Sequence, residues 1–278
     1  MTEDTALVKP NGNSNDPIKA LSRYLDARSK NLAKFTAARI KPETLIRLAI
    51  FEFSQNEWLR KCTPESIYGS LILAAQIGLE PSGIRGECYL VPYKGKCTLI
   101  PGWRGLVKLA LRSKVVKRFN SYVVYERDEF AIWLGSEPRV DHRPCLDGDR
   151  GRLVGAYAIA KFDNGEIDVE FMGIEELEKI RDMAARGRGG KDGPAYENWE
   201  DQMYRKAPIR RLAKRLPLGD DFFIASKADE LADAGEQDKI NSYIDVDSSE
   251  KDPSQAVTDS IANKLAERAA SVRDGGES

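Results

Sequence analysis

Leu153-Val-Gly-Ala-Tyr-Ala-Ile-Ala-Lys-Phe162, then Asp163-Asn-Gly165, then Glu166-Ile-Asp-Val-Glu-Phe171 is the stretch that decides the fold. Val154, Ala156, Ala158, Ala160 and Phe162 alternate, the chain turns at Asn164-Gly165, and Ile167, Val169 and Phe171 alternate back. An Asn-Gly pair adopts the positive-φ geometry of a two-residue turn, and a period of two sends successive side chains to opposite faces, so the stretch predicts an antiparallel hairpin. Towards the N-terminus, Val115 to Tyr125 and Phe130 to Leu134 are strand-like. Earlier still, Cys88 to Tyr93 and Lys96 to Ile100 flank Lys94-Gly95 and predict a second hairpin, closed by Pro101-Gly102.

Helices flank these strands. Asp16-Pro17, Pro42-Glu43 and Thr63-Pro64-Glu65 are helix starts, a cap followed by a proline or acid in the first turn, and Gly78 is a helix stop. Trp103 to Ser113, Ile174 to Ala185 and Tyr196 to Leu216 carry helical periodicity, the last interrupted at Pro208, which predicts a new segment. The expected class is therefore α+β: a small antiparallel sheet with hairpins, flanked by helices that form a basic groove, with disordered termini. Three regions are expected: an arm at 1–15, a core at 16–228, and an acidic linker with a weak helix at 229–278.

Composition narrows the classes. The chain has 278 residues, 41% hydrophobic and 31% charged, enough for one large domain or two small ones. It has no run of 18 apolar residues and starts Met1-Thr2-Glu3-Asp4, so a membrane span and a secretion signal are not expected, and the cytoplasm is the expected compartment. Cys62, Cys88, Cys97 and Cys145 contain no C-x-x-C pair and read as reduced, mostly buried thiols.

The net charge of −1 conceals a division: residues 218–278 hold 15 Asp+Glu against 6 Lys+Arg, and residues 1–217 hold 37 Lys+Arg against 29 Asp+Glu. Cys88 to Tyr125 has no acid but carries Lys94, Lys96, Arg104, Lys108, Arg112, Lys114, Lys117 and Arg118. Gln202 to Gly219 likewise carries Arg205, Lys206, Arg210, Arg211, Lys214 and Arg215. Arg104, Lys108 and Arg112 are spaced by four, which sets them in one stripe of a helix. Such runs point to a polyanion, because each phosphate neutralised releases condensed counter-ions. The competing reading is of solvated faces whose acids are supplied by the fold.

Other chemistries fit poorly. Gly95-Lys96-Cys97-Thr98 lacks the Ser or Thr after lysine that a P-loop needs, and Leu90 stands where its first glycine belongs, so no nucleotide cofactor is expected. Gly187-Arg-Gly-Gly lacks the spacing of a dinucleotide loop. His142 is the only histidine; with Cys145 it gives half of a zinc site, and a structural role is the simpler one. Asp163, Glu166, Asp168 and Glu170 are the one carboxylate group suited to a metal-dependent nuclease, but Glu166, Asp168 and Glu170 alternate with Ile167, Val169 and Phe171 and read as the solvent face of a strand.

A string of short motifs adds to this. Gly78-Leu-Glu-Pro81, Cys88-Tyr-Leu-Val-Pro92, Gly102-Trp-Arg-Gly-Leu106, Val124-Tyr-Glu-Arg-Asp-Glu-Phe130, His142-Arg-Pro144, Gly155-Ala-Tyr-Ala158, Gly193-Pro194, Trp199 to Met203, Lys206, Arg210-Arg-Leu212 and Leu216-Pro217 occur in this order. Together they resemble the RecT family of phage-type single-strand annealing recombinases. Trp103 stands where that pattern usually has tyrosine, Ala195-Tyr196 where it has tryptophan, and Ala207-Pro208 where it has Thr-Ala. The resemblance implies a non-enzymatic protein that binds single-stranded DNA, pairs complementary strands without nucleotide hydrolysis, assembles into helical filaments or rings, and works with a 5′→3′ exonuclease.

On this reading Lys94, Lys96 and Trp103 are DNA-binding candidates, and Arg104, Lys108, Arg112, Lys114, Lys117 and Arg118 are candidates on one side of the groove. Lys206, Arg210, Arg211, Lys214 and Arg215 are candidates on the other. Annealing requires a grip on phosphates that leaves base edges free. Tyr89, Tyr93, Trp103, Phe119, Tyr122 and Tyr125 interleave with the cations, as strand-stacking residues or as core. Val257, Ile261 and Leu265 form a narrow apolar stripe for docking the exonuclease or a host single-strand DNA-binding protein. A non-annealing single-strand-binding module and a nuclease are the rival classes.

Overall fold

The computed structural model describes residues 16–36, 40–186, 194–236 and 239–240. The arm at 1–15, the glycine-rich loop from 187, and Val257, Ile261 and Leu265 lie outside the described residues.

Four helices open the fold: α1 (Pro17–Asp26), α2 (Ser29–Ala33), α3 (Pro42–Gln55) and α4 (Pro64–Ile77). Asp16 caps α1 by accepting from the Ile18 amide at 3.0 Å, and Thr63 caps α4 by accepting from Ser66. Gly78 ends α4 in the left-handed region, φ 67°. The hairpin β1 (Cys88–Tyr93) and β2 (Lys96–Pro101) turns through Lys94 and Gly95, both at positive φ, and packs against α4. Then follow α5 (Trp103–Arg112), β3 (Val116–Tyr125), β4 (Glu129–Trp133), β5 (Arg139–Arg143), β6 (Leu153–Phe162) and β7 (Ile167–Gly173). The chain closes with α6 (Ile174–Arg186), α7 (Pro194–Tyr204), α8 (Lys206–Ala213) and α9 (Asp220–Asp233). The class is α+β.

The central sheet is antiparallel, in the order β3-β6-β7. The register sets Ala158 opposite Glu170 and Ala160 opposite Asp168, and Tyr157 opposite both Tyr122 and Phe171. Both faces are covered. Phe119, Ala158 and Ala160 join the core made with the helices, and the single methyl groups of alanine leave room for α8. On the opposite face Val124, Tyr157 and Val169 pack with Phe130, Ile132 and Val140 of the β4–β5 hairpin. Asp168 and Glu170 therefore do not form a solvent face. They lie on the α8 side and hold Arg211 and Arg215.

Two boundaries differ from the sequence reading. Pro208 lies inside the first turn of α8, where its missing N–H costs nothing, and the break falls at Arg205. The core does not stop at 228: α9 runs to Asp233, Asp229 is fully buried, and Ile240 is buried as well. Acidic composition suggested a linker there, but these acids neutralise buried cations. Cys62, Cys88 and Cys97 are buried free thiols, and burial pushes Cys97 up to about 12. No helix among the described residues is long and apolar enough to cross a membrane.

The loop between α4 and β1 is clamped onto α5. A Cβ on Gly105 would sit 2.0 Å from the Glu87 carbonyl oxygen, whereas one on Gly173 would meet nothing within 4 Å. Gly105→Ala should lose at least about 2 kcal/mol in denaturant unfolding. Gly173→Ala should stay within about 0.5 kcal/mol of the parent.

Candidate nucleic-acid interface

A trough of about 480 Å³ lies on the sheet face that carries the β4–β5 hairpin. Arg118, Arg150, Lys161 and Arg205 line it together with Tyr122, Tyr157 and His142, and among the described residues no Asp or Glu contributes to its lining. Arg118 and Lys161 are direct cross-strand partners at the start of β3. Like charges set opposite each other in a ladder repel, and an anion between them removes the penalty. Arg118 donates to the Tyr122 hydroxyl at 3.2 Å, and the Tyr122 and Tyr157 rings lie 5.4 Å apart.

Two lining residues, Arg150 and His142, are held by Asp128, whose side chain is fully buried. One carboxylate oxygen accepts from the Cys145 amide and Arg150 Nε, both at 2.9 Å. The other accepts from the Tyr125 amide at 2.9 Å, from His142 Nε2 at 3.2 Å and from Arg150 Nη2. Burial would raise its pKa, but the hydrogen bonds from Arg150, the Tyr125 and Cys145 amides and His142 outweigh burial and hold it well below the usual carboxylate range. With His142 Nε2 donating to Asp128, Nδ1 accepts from the Tyr157 hydroxyl at 3.2 Å. Burial, then Tyr122, pushes Tyr157 up to about 12, so it stays a neutral phenol. His142 thus links Asp128 to Tyr157. Among the described residues no three His, Cys, Asp or Glu side chains gather as a metal site.

At the outer edge of β3, Arg205 links the trough to α5. Arg205 Nη1 donates to the Ser121 carbonyl at 3.0 Å, its guanidinium lies 5.4 Å from the Trp103 ring centre, and its buried Nε finds no acceptor among the described residues. Trp103 donates to Gln202 Oε1 at 2.6 Å, and exposed Arg104 lies over its ring at 5.6 Å. Lys114, exposed and at φ 60°, follows α5, and Lys117 is exposed in an ion pair with Asp163 at 3.1 Å. Exposed pairs of that kind contribute about 0–1 kcal/mol and exchange readily for phosphate. Of the sequence candidates Arg118 lines the trough, with Arg150, Lys161, Tyr157 and His142, which the sequence reading had not selected; Trp103 and Arg104 lie outside its lining and are linked to it through Arg205.

The other candidates are placed differently. Lys94 and Lys96 sit at the turn of the β1–β2 hairpin, Lys94 over the Tyr93 ring at 4.9 Å, and Tyr93 donates to the Gly235 carbonyl at 3.2 Å. Lys108 spans both oxygens of Glu87 at 2.7 Å. Arg112 donates to the Ile77 and Gly78 carbonyls at 2.8 Å, closing the end of α4, and pairs with Asp221 at 3.1 Å. The Arg104, Lys108, Arg112 stripe is thus one exposed cation and two structural ones.

The second wall does not form as expected. Lys206 and Arg210 are buried and both bind Asp229, at 2.8 and 2.6 Å, with Asp233 2.7 Å from Arg210. Burial disfavours the Arg210 charge, but Asp229 and Asp233 more than restore it and raise its pKa. Arg211 pairs with Glu170 and Glu176, and Arg215 with Asp168 and Glu170. Lys214 pairs with Glu230 at 3.4 Å on the surface. The run is acid-free in sequence only, because β7, α6 and α9 supply its counter-ions. Phe119 is fully buried core, and of the interleaved aromatics Tyr122 reaches the trough.

Residues 43–244 match the RecT family, nearly three quarters of the chain. The chain belongs to the RecT family. It is 31% identical over 209 residues to the protein RecT of Escherichia coli (strain K12), covering 72% of this chain and 76% of that one. It is also 23% identical over 247 residues to the uncharacterized protein YqaK of Bacillus subtilis (strain 168), covering 88% and 77%. Membership places it among single-strand annealing recombination proteins.

Asp128→Asn should unfold about 3 kcal/mol more easily at pH 7, because Arg150 would be left half-buried without its counter-charge. A depressed folded-state pKa gives stability that is present above the ordinary carboxylate pKa, about 4, and is lost as pH falls towards the folded value. Denaturant melts from pH 7 to pH 2 should therefore show the gap between parent and variant closing only below about pH 4.

Proposed function

We propose that this member pairs complementary DNA strands without hydrolysing a nucleotide, holding one strand by its phosphates along the trough and the Trp103–Arg104 surface. The observation that carries this is the cross-strand pair Arg118 and Lys161, like charges in a concavity that no carboxylate lines among the described residues. Phosphates bridging these cations would screen the strand's charge against an incoming complement, and the free energy would come from stacking, of order 1.4 kcal/mol per step. Assembly into filaments or rings would multiply the weak grip of each subunit. No cofactor enters this scheme, and the setting is the cytoplasm.

The nuclease alternative loses two of its four carboxylates, since Asp168 and Glu170 are bound by Arg211 and Arg215. A binding module that does not anneal is the remaining rival. Two complementary fluorophore-labelled oligonucleotides, followed by energy transfer without nucleotide, separate the readings: pairing faster than in the protein-free control supports annealing, slower pairing supports mere protection. Arg118→Ala with Lys161→Ala should weaken binding and reduce the slope of log affinity against log salt by about 0.7 for each phosphate that is no longer neutralised.

The tail carries the partner proposals. Val257, Ile261 and Leu265 would dock the 5′→3′ exonuclease or the host single-strand DNA-binding protein. Because Leu231 and Ile240 are core residues, a clean truncation removes 241–278 rather than cutting at 229. It should leave oligonucleotide annealing intact and lower recombination in cells; loss of annealing by the purified truncation would contradict this division.

A further inference from the structure

We propose that the loop Ser82-Gly-Ile-Arg-Gly86 is a second strand-contacting element, in which Ile84 wedges against bases and Arg85 holds a phosphate, extending the path that leaves the trough. The proposal rests on the single-strand-binding reading above.

Ile84 is 84% exposed, at the centre of a loop that cannot fold it away. Gly83 N donates to Glu52 Oε1 at 3.0 Å, Gly86 N to the Ser82 carbonyl at 3.0 Å, and Gly102 N to the Glu87 carbonyl at 2.8 Å. Gly86 is at φ +66°, and a Cβ on Gly102 would strike the Gly86 carbonyl oxygen at 2.2 Å. The loop is thus locked against the start of α5 with an isoleucine held in water. A fixed apolar side chain flanked by cations is the form in which proteins insert between bases.

The surroundings give the same chemistry. A Cβ on Gly86 would lie 3.1 Å from the Tyr89 hydroxyl and 3.4 Å from Arg104 Cδ, so the phenol and the guanidinium stem converge on the loop. Tyr89 is 41% exposed, and Arg85 is 59% exposed in a surface pair with Glu80 at 3.1 Å. The nearby acids are committed: Glu80 to Arg85, Glu52 to the Gly83 amide, and Glu87 to the Glu80 amide and Lys108.

Continuity decides the occupant. Arg205 lines the trough and lies over Trp103, Arg104 lies over Trp103 and against Gly86, and Tyr89 meets Gly86. A strand leaving the trough past Trp103 meets Arg104, then Tyr89, then Ile84 and Arg85. Alternating cations and ring or apolar surfaces suit a single strand, whose every base has a stacking face.

The test measures dissociation constants of full-length protein for labelled thymidine oligonucleotides of increasing length, comparing the parent with Ile84→Ser/Arg85→Ser and with Ile84→Leu. The expected result is unchanged affinity of the double variant for the shortest oligonucleotides that bind, at least a fivefold loss for long ones, and parental behaviour in Ile84→Leu. Parental affinity of the double variant at every length, as would follow if the loop served a protein partner, overturns the proposal. So does an equal loss at all lengths with an unchanged melting temperature. Failure of the parent itself to bind any length would instead remove the single-strand reading on which the proposal rests.

Discussion

The register between β6 and β7 is the constraint on which the rest depends. It sets Ala158 and Ala160 opposite Glu170 and Asp168 on the side facing α8. Small side chains on one strand let the helix approach, and carboxylates on the next give it charges to bind. Arg211 and Arg215 meet those acids, and Arg215 also donates to the Val169 carbonyl at 3.0 Å. Arg205, just before α8, does the same for Ser121 on the opposite outer strand. One basic segment therefore covers one face of the sheet and caps a carbonyl on each open edge, which also makes those edges poor templates for unwanted pairing.

The same register frees the other face. With the helix side neutralised, Tyr122, Tyr157 and Ile159 turn towards the β4–β5 hairpin, and Arg118 and Lys161 are left together at the margin of that face. The hairpin is fixed to it through Asp128, which binds β5 through His142 and the following loop through Cys145 and Arg150. Basic residues thus divide into two groups: those that hold the fold, on α8 and the end of α5, and those on β3, β6 and the start of α5, to which the proposed phosphate grip is assigned.

Much of this was legible in the sequence. Period-two alternation around Asn164-Gly165, proline starts at 17, 42 and 64, and Gly78 as a stop marked elements that the structure contains. The partners of the cations were not legible. Lys206 and Arg210 carry a charge pattern no different from that of Arg104, and only the arrival of Asp229 and Asp233 from a later helix makes them structural. Lys161 was hidden for the opposite reason: it is a lone cation in an apolar strand, and its significance comes from standing opposite Arg118. Arg139–Arg143 gave no strand signal because Val140 is its one apolar residue, yet it supplies His142 and Val140 to the trough.

The central claim is that phosphates lie along β3 and β6 and not along α8. Lysine acetylation read by mass spectrometry, with and without a saturating oligonucleotide, tests it directly, because Lys161 and Lys214 are both exposed and lie on the two surfaces in question. The account predicts that DNA shields Lys161 and leaves Lys214 as reactive as before. Shielding of Lys214 with Lys161 unchanged would contradict it.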